Sequence, residues 1–192
     1  LVSQKEKFRL SRSLKQSFIR MAKNKIMPDS RFLDFFKERG SVYDTLRSLE
    51  EMDILNKLVP GFSSLETSLY KREHRNFRIP RSEKALININ LLERLEDVDL
   101  NAYGGDLDEQ RKFFAVQYLS LTLEERLKLK LSLLIHDIPK INNISIEDLL
   151  SDYQRMYPSL SEDVIEDVAF LVNKKKSFLE TARSTLVNED ST

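Results

Sequence analysis

The chain has 192 residues, with 31 basic and 31 acidic side chains, 41% hydrophobic residues, 4 Gly, 5 Pro, no Cys, no Trp and 2 His. That length supports one sizeable core, and the balanced charge gives no general electrostatic pull toward nucleic acid or an anionic membrane. Absent cysteine excludes disulfides, thiolate zinc sites, iron–sulfur clusters and cysteine nucleophiles, so a cytoplasmic location is the simplest expectation. No run approaches the roughly 18 to 20 apolar residues of a membrane span, and residues 1–25 lack the pattern of a signal peptide. The first residue is Leu1 and the last ones turn polar, which suggests a segment of a larger protein.

Glycine is scarce, so the turns of a many-stranded sheet are hard to supply, while apolar residues recur at helical spacing. The expectation is an all-α fold. Phe8, Leu14, Phe18 and Met21 fall on one face of a first helix that Pro28 helps to end. Asp29 or Ser30 then caps a short helix carrying Phe32, Leu33, Phe35 and Phe36, with Gly40 at its stop. Val42, Leu46, Leu49 and Met52 form the next stripe, continued by Leu55, Leu58 and Val59 toward Pro60 and Gly61. Between Gly61 and Pro80 the period fades and Lys71, Arg72, His74, Arg75, Arg78 and Arg81 crowd together, as in a long basic loop.

A helix resumes near Ser82 with Leu86, Ile89, Leu92 and Leu95, and ends before Gly104 and Gly105. Phe113, Phe114 and Tyr118 mark another. Thr122 and Glu125 have capping-box spacing before Leu123, Leu127, Leu131, Leu134 and Ile135. Ser145 and Asp148 resemble a second cap before Leu149, Tyr153 and Met156, and Ser161 introduces Val164, Ile165, Val168, Leu171 and Val172. Lys174, Lys175 and Lys176 follow where cations suit the macrodipole. One helical domain over 1–192 is expected, with an N-terminal subregion over 1–60, a basic loop over 61–81 and a core over 82–192.

His136-Asp137 is the sharpest local feature, because it ends a very apolar helix where a charge needs a partner. Two readings stand side by side: a helix-end pair bonded to nearby backbone, or an imidazole and carboxylate that ligate a divalent cation. In context, Leu133-Leu134-Ile135-His136-Asp137-Ile138-Pro139-Lys140 resembles the signature of the HD-domain metal phosphohydrolases. Leu46 to Leu55, Leu58-Val59-Pro60-Gly61-Phe62, His74 to Ile79, Val168 to Val172 and Thr181-Ala182-Arg183 are similar to stretches of one branch, the HD domain of bacterial PII uridylyltransferase/uridylyl-removing enzymes. The likeness covers roughly residues 30 to 190. It implies an all-α HD fold with the helix before His136 as a central element.

The same likeness shows which ligands are missing. About Ser82 stands where that family has its first metal histidine, Pro139-Lys140 leads to no further imidazole, and Asn173, Lys174 and Lys175 stand near the late histidines. A lysine cation does not replace a neutral imidazole beside a divalent metal. The vestigial site is therefore His136, Asp137, Lys140, Ser82, Lys174 and Lys175, and no residue is assigned a catalytic role. If any residues hold a metal they are His136 and Asp137, but no cofactor is expected, a divalent metal being the alternative. Lys174 or Lys175 would pair with Asp137 where an ion once lay, the competing reading being solvated lysines at a helix end.

Arg72, His74, Arg75 and Arg78 form a candidate anion site for a phosphate or acidic group, against the competing reading of a surface histidine among solvated charges. Only Tyr70 and Phe77 offer rings for stacking near that patch, so nucleic acid is not an expected partner. Phosphate-binding glycine loops, a nucleophile elbow and H-E-x-x-H are all absent. Three functions follow: a catalytically degenerate HD domain serving as a structural, regulatory or partner-binding module of a larger protein, a residual metal-dependent phosphohydrolase, or a metal-free anion or nucleotide sensor. The expected partners are other domains of the same protein, or a second protein, with no membrane.

Overall fold

Apolar residues three and four apart build a series of short helices, and the computed structural model describes residues 31–40, 42–71, 78–101 and 106–174. In chain order these are α1 (Arg31–Lys37), α2 (Val42–Glu51), α3 (Leu55–Leu58), α4 (Phe62–Thr67), the strands β1 (Leu69–Lys71) and β2 (Arg78–Pro80), α5 (Arg81–Glu93) with a 3-10 turn over Arg94–Asp97, α6 (Asp106–Ser120), α7 (Leu123–Ile135), α8 (Ile138–Asn142), α9 (Ile146–Met156) and α10 over 162–174. The all-α expectation is borne out. Among the described residues a two-stranded antiparallel ladder is added, which pairs Leu69 with Pro80, Tyr70 with Ile79 and Lys71 with Arg78.

The ladder and α4 occupy much of the stretch expected to be a plain loop. Its base is closed where the Arg81 amide donates to the Ser68 carbonyl at 2.9 Å and the Arg81 Nε donates to the Ser68 Oγ at 3.2 Å. Pro80 ends β2 and immediately precedes α5, at a position where its missing N–H costs no helical bond. The apolar stripe of α2 does not run on into α3 as expected. Asp53 takes a left-handed turn at φ 56 between them, which re-aims Leu55 into the core.

Local caps match their sequence signals. Thr122 and Glu125 make a reciprocal capping box at the start of α7, Ser145 accepts from the Asp148 amide at 3.0 Å, and Ser161 accepts from the Val164 amide at 3.4 Å. The helix expected at Phe113, Phe114 and Tyr118 is α6. Ala115 and Tyr118 face the core, while Phe113 and Phe114 are 61% and 57% exposed with their rings edge to face.

One core runs through the described residues. α5 and α7 lie at its middle, with α1 against α7, α2 and α4 against α5, and α4 also against α8. Leu86, Ile89, Leu131, Leu134 and Ile135 are fully or almost fully buried there, beside Leu46, Leu49, Phe62 and Leu65. Each such side chain contributes roughly 1.5–3 kcal/mol relative to exposure. Phe32, Phe36, Tyr153 and Tyr157 extend this core toward α9, with the rings of Phe32 and Tyr157 stacked at 5.9 Å.

No described helix is long and apolar enough to cross a membrane. The first expected helix with Phe8, Leu14, Phe18 and Met21, the cap at Asp29 or Ser30, the basic residues Arg72, His74 and Arg75, the glycines Gly104 and Gly105, and Lys175, Lys176 and Thr181-Ala182-Arg183 lie outside the described residues.

Candidate functional site

α7 ends at Ile135, and the chain turns at His136 and Asp137 before Ile138 and Pro139 start α8. Leu134, Ile135 and Ile138 are all buried, so this turn is drawn into the body of the molecule and Asp137 with it. A carboxylate in that place needs donors.

It has three. The His136 Nε2 lies 2.8 Å from Asp137 Oδ1, and both the Lys84 Nζ at 3.0 Å and the Arg81 guanidinium at 3.1 Å meet Oδ2. Arg81 and Lys84 are three apart in the first turn of α5, hence on one face, and that face looks onto the end of α7. Burial disfavours the charged carboxylate, but the hydrogen bond and charge of His136, and then those of Lys84, outweigh it. The Asp137 carboxyl is therefore held below the usual carboxylate range.

The neighbouring residues of the same α5 turn point to α2. Glu83 pairs with Arg47, which also reaches Glu50 at 3.0 Å and Glu51 at 3.5 Å. Glu50 is pushed up by burial, against the pull of Arg47 and the Ser82 hydroxyl. The first turn of α5 is thus a charged clamp, with Glu83 on α2 and with Arg81 and Lys84 on the end of α7.

The sequence expectation of a lysine neutralising Asp137 assigned that role to Lys174 or Lys175. The structure assigns the charge to Lys84 and Arg81 instead. Lys174 is exposed at the end of α10 and makes no ion pair with Asp137 among the described residues, and Lys175 lies outside them. Ser82, expected near the first metal position, is buried and engages Glu50. Lys140 is exposed on α8, and Arg78 falls in β2. Arg81 was legible only as part of a basic patch, and Lys84 went unread. The available signal was their i, i+3 spacing beside Ser82.

As metal donors these residues fit poorly. The His136 Nε2 is turned onto Asp137 Oδ1, the Lys84 and Arg81 cations both sit on Oδ2, and no three His, Asp or Glu side chains converge among the described residues. A divalent ion would have to displace two cations to reach a pair of ligands.

A second buried charge cluster lies at the other end of α5. Glu93 accepts from the Val42 and Tyr43 amides at 3.0 and 3.1 Å, so it closes the N-terminus of α2 from another helix. Lys130 of α7, whose side chain is 0% exposed, donates to the Glu38 carbonyl at 2.7 Å and lies 3.4 Å from Glu93 Oε1. Burial pushes Glu93 up and Lys130 down, and each partly restores the other. The cluster joins α2, α5, α7 and the end of α1. Compared with known proteins, the chain matches no family model, no curated protein and no solved structure.

Proposed function

We propose that the chain is a non-catalytic helical module, HD-like in its signature, in which cation pairing of Asp137 takes the place of a metal. It serves a larger cytoplasmic protein as a structural or regulatory part, through other domains of that protein or a protein partner. The observation that carries this reading is the occupation of both Asp137 oxygens by His136, Lys84 and Arg81. A carboxylate so engaged holds helices together, with its charge met by protein donors in the place where an ion would sit.

The test is metal binding and phosphodiester hydrolysis by the full chain with Mn, Zn, Mg or Fe. The expected outcome is no saturable metal stabilisation and no metal-dependent turnover of a generic aryl phosphodiester. Stoichiometric metal that is lost in Asp137→Asn would overturn the reading and restore the phosphohydrolase alternative.

A second reading is favoured by the convergence of two cations, Arg81 and Lys84, on Asp137 Oδ2. In a metal-free anion sensor, an incoming phosphate would share Arg81 and Lys84 with Asp137. Nucleotide or phosphate-ester binding that survives EDTA and disappears in Lys84→Ala would select it over the purely structural role.

A further inference from the structure

Residues 1–27 hold eight of the chain's 31 basic side chains and one of its 31 acidic ones, which leaves 23 basic against 30 acidic in the remainder. The zero net charge is therefore the sum of a strongly basic N-terminal segment and an acidic body. Within that segment Leu10, Leu14, Phe18 and Met21 recur at spacings of four, four and three, while Arg9, Arg12, Arg20 and Lys23 project to the opposite side of the same helical wheel. The segment lies outside the described residues, but its sequence asks for an apolar seat with acidic edges.

The described body offers one next to the point of entry. An open groove of about 510 Å³ runs between α1, α7 and the start of α10. Leu33, Leu127 and Val164 form its buried floor, and Leu123 stands on its lip at 57% exposure. Asp34 and Glu124 are exposed on the rim with Lys37, which donates to Asp34 at 2.7 Å, so Glu124 adds the net negative charge of that edge. α1 begins at Arg31, two residues before Leu33. Residues 26–30 give a tether of at most about 3.6 Å per residue, which keeps the segment at a high effective concentration over the groove.

We propose that the N-terminal segment, residues 5–25, lays its Leu10, Leu14, Phe18 and Met21 stripe into this groove and turns its basic side to the acidic rim. The groove then belongs to this chain's own N-terminus, in preference to a second copy or a lipid surface. Apolar burial supplies the seat, and opposite net charge with a short tether selects the occupant.

The chain contains no cysteine, so paired cysteines can be placed without background. In the full-length protein, Phe18→Cys with Leu123→Cys should form an intramolecular disulfide on mild oxidation at least ten times faster than Phe18→Cys with Leu69→Cys. Leu69 is likewise exposed, but it sits on β1 beside the start of α5, which meets the opposite end of α7. Adding Leu14→Asp to the first pair should bring its rate down to that of the control, with an unchanged far-UV circular dichroism spectrum showing that the body remains folded. Equal rates for the two pairs would overturn the proposal, as would a fast rate that survives Leu14→Asp. Cross-links formed only between molecules would assign the groove to a second copy and overturn it too. Sedimentation of the unoxidised chain with phosphatidylserine vesicles, together with equal cross-linking rates, would assign the segment to a lipid surface.

Discussion

Asp137 shows how a single buried carboxylate sets a pH dependence. Its folded-state pKa lies below the ordinary value of 3.8, so its contribution to stability is present above that value and is lost as pH falls through the folded one. Acid unfolding of the wild type should therefore steepen below about pH 4, and Asp137→Asn should flatten that limb. At neutral pH the same substitution removes the carboxylate charge that Lys84 and Arg81 both meet, and should cost about 2 kcal/mol in urea denaturation. If it costs nothing, the three contacts to Asp137 are not stabilising. The His136-Asp137 dipeptide was legible in the sequence as a place where charge needs a partner. Its partners were not, because Lys84 is 53 residues away and only the packing of α5 against α7 brings it near.

Between elements, the buried cluster at Glu93 and Lys130 matters most. Glu93 does for α2 what a side chain just before a helix usually does, but from another element, so α2 is capped only when α5 is docked. Glu93→Ala removes the cap and takes the carboxylate away from the buried Lys130 ammonium, which keeps its hydrogen bond to the Glu38 carbonyl, at a cost of about 3–4 kcal/mol. The double variant Glu93→Leu, Lys130→Met should recover part of that loss, since it removes both buried charges; double-mutant-cycle denaturation measures the coupling. Thr122→Ala should cost about 1 kcal/mol through the local cap of α7, a smaller effect because it involves neighbours in sequence. The contrast explains what the sequence discloses. Thr122, Ser145 and Ser161 are read correctly from three-residue patterns, whereas a cap supplied 50 residues away leaves no local trace.

Gly61 makes a comparable link between α4 and α8. It takes a left-handed φ of 78, and a Cβ there would come within 2.6 Å of the Ile138 Cγ2. Gly61→Ala combines backbone strain with a clash against the residue that follows Asp137, and should destabilise the protein by about 2 kcal/mol or more. Thermal unfolding followed by circular dichroism checks it. The sequence marked Gly61 as a turn; the close approach of α8 depends on the tertiary fold. Apolar periodicity had a matching limit at Phe113 and Phe114, which it placed on a helix without distinguishing a packed face from an exposed one.

Across the whole molecule, the early and late parts of the described chain are fastened to each other. The Tyr157 hydroxyl donates to the Leu58 carbonyl at 2.7 Å, and its ring stacks on Phe32. Tyr157→Phe keeps the stack and loses the hydrogen bond, so it should cost about 1 kcal/mol, and Tyr157→Ala about 3–5 kcal/mol. Equal costs for the two would show that the hydroxyl, and not the ring, holds the ends together. The all-α class and most helix starts were legible because they follow from composition and local spacing, whereas which helices meet was not, because α1 finds its main neighbour in α7.

That fastening has a consequence for how the protein is made. A ribosome releases Phe32 roughly 125 residues before Tyr157, and at about 5–20 residues per second the interval lasts on the order of 6–25 s. For most of that time the apolar side of α1 lacks α7, and for all of it α1 lacks Tyr157 at the end of α9. α1 is thus among the first described elements synthesised and among the last to be enclosed, which makes the nascent chain, rather than the finished protein, the form most exposed to proteases and in most need of a chaperone.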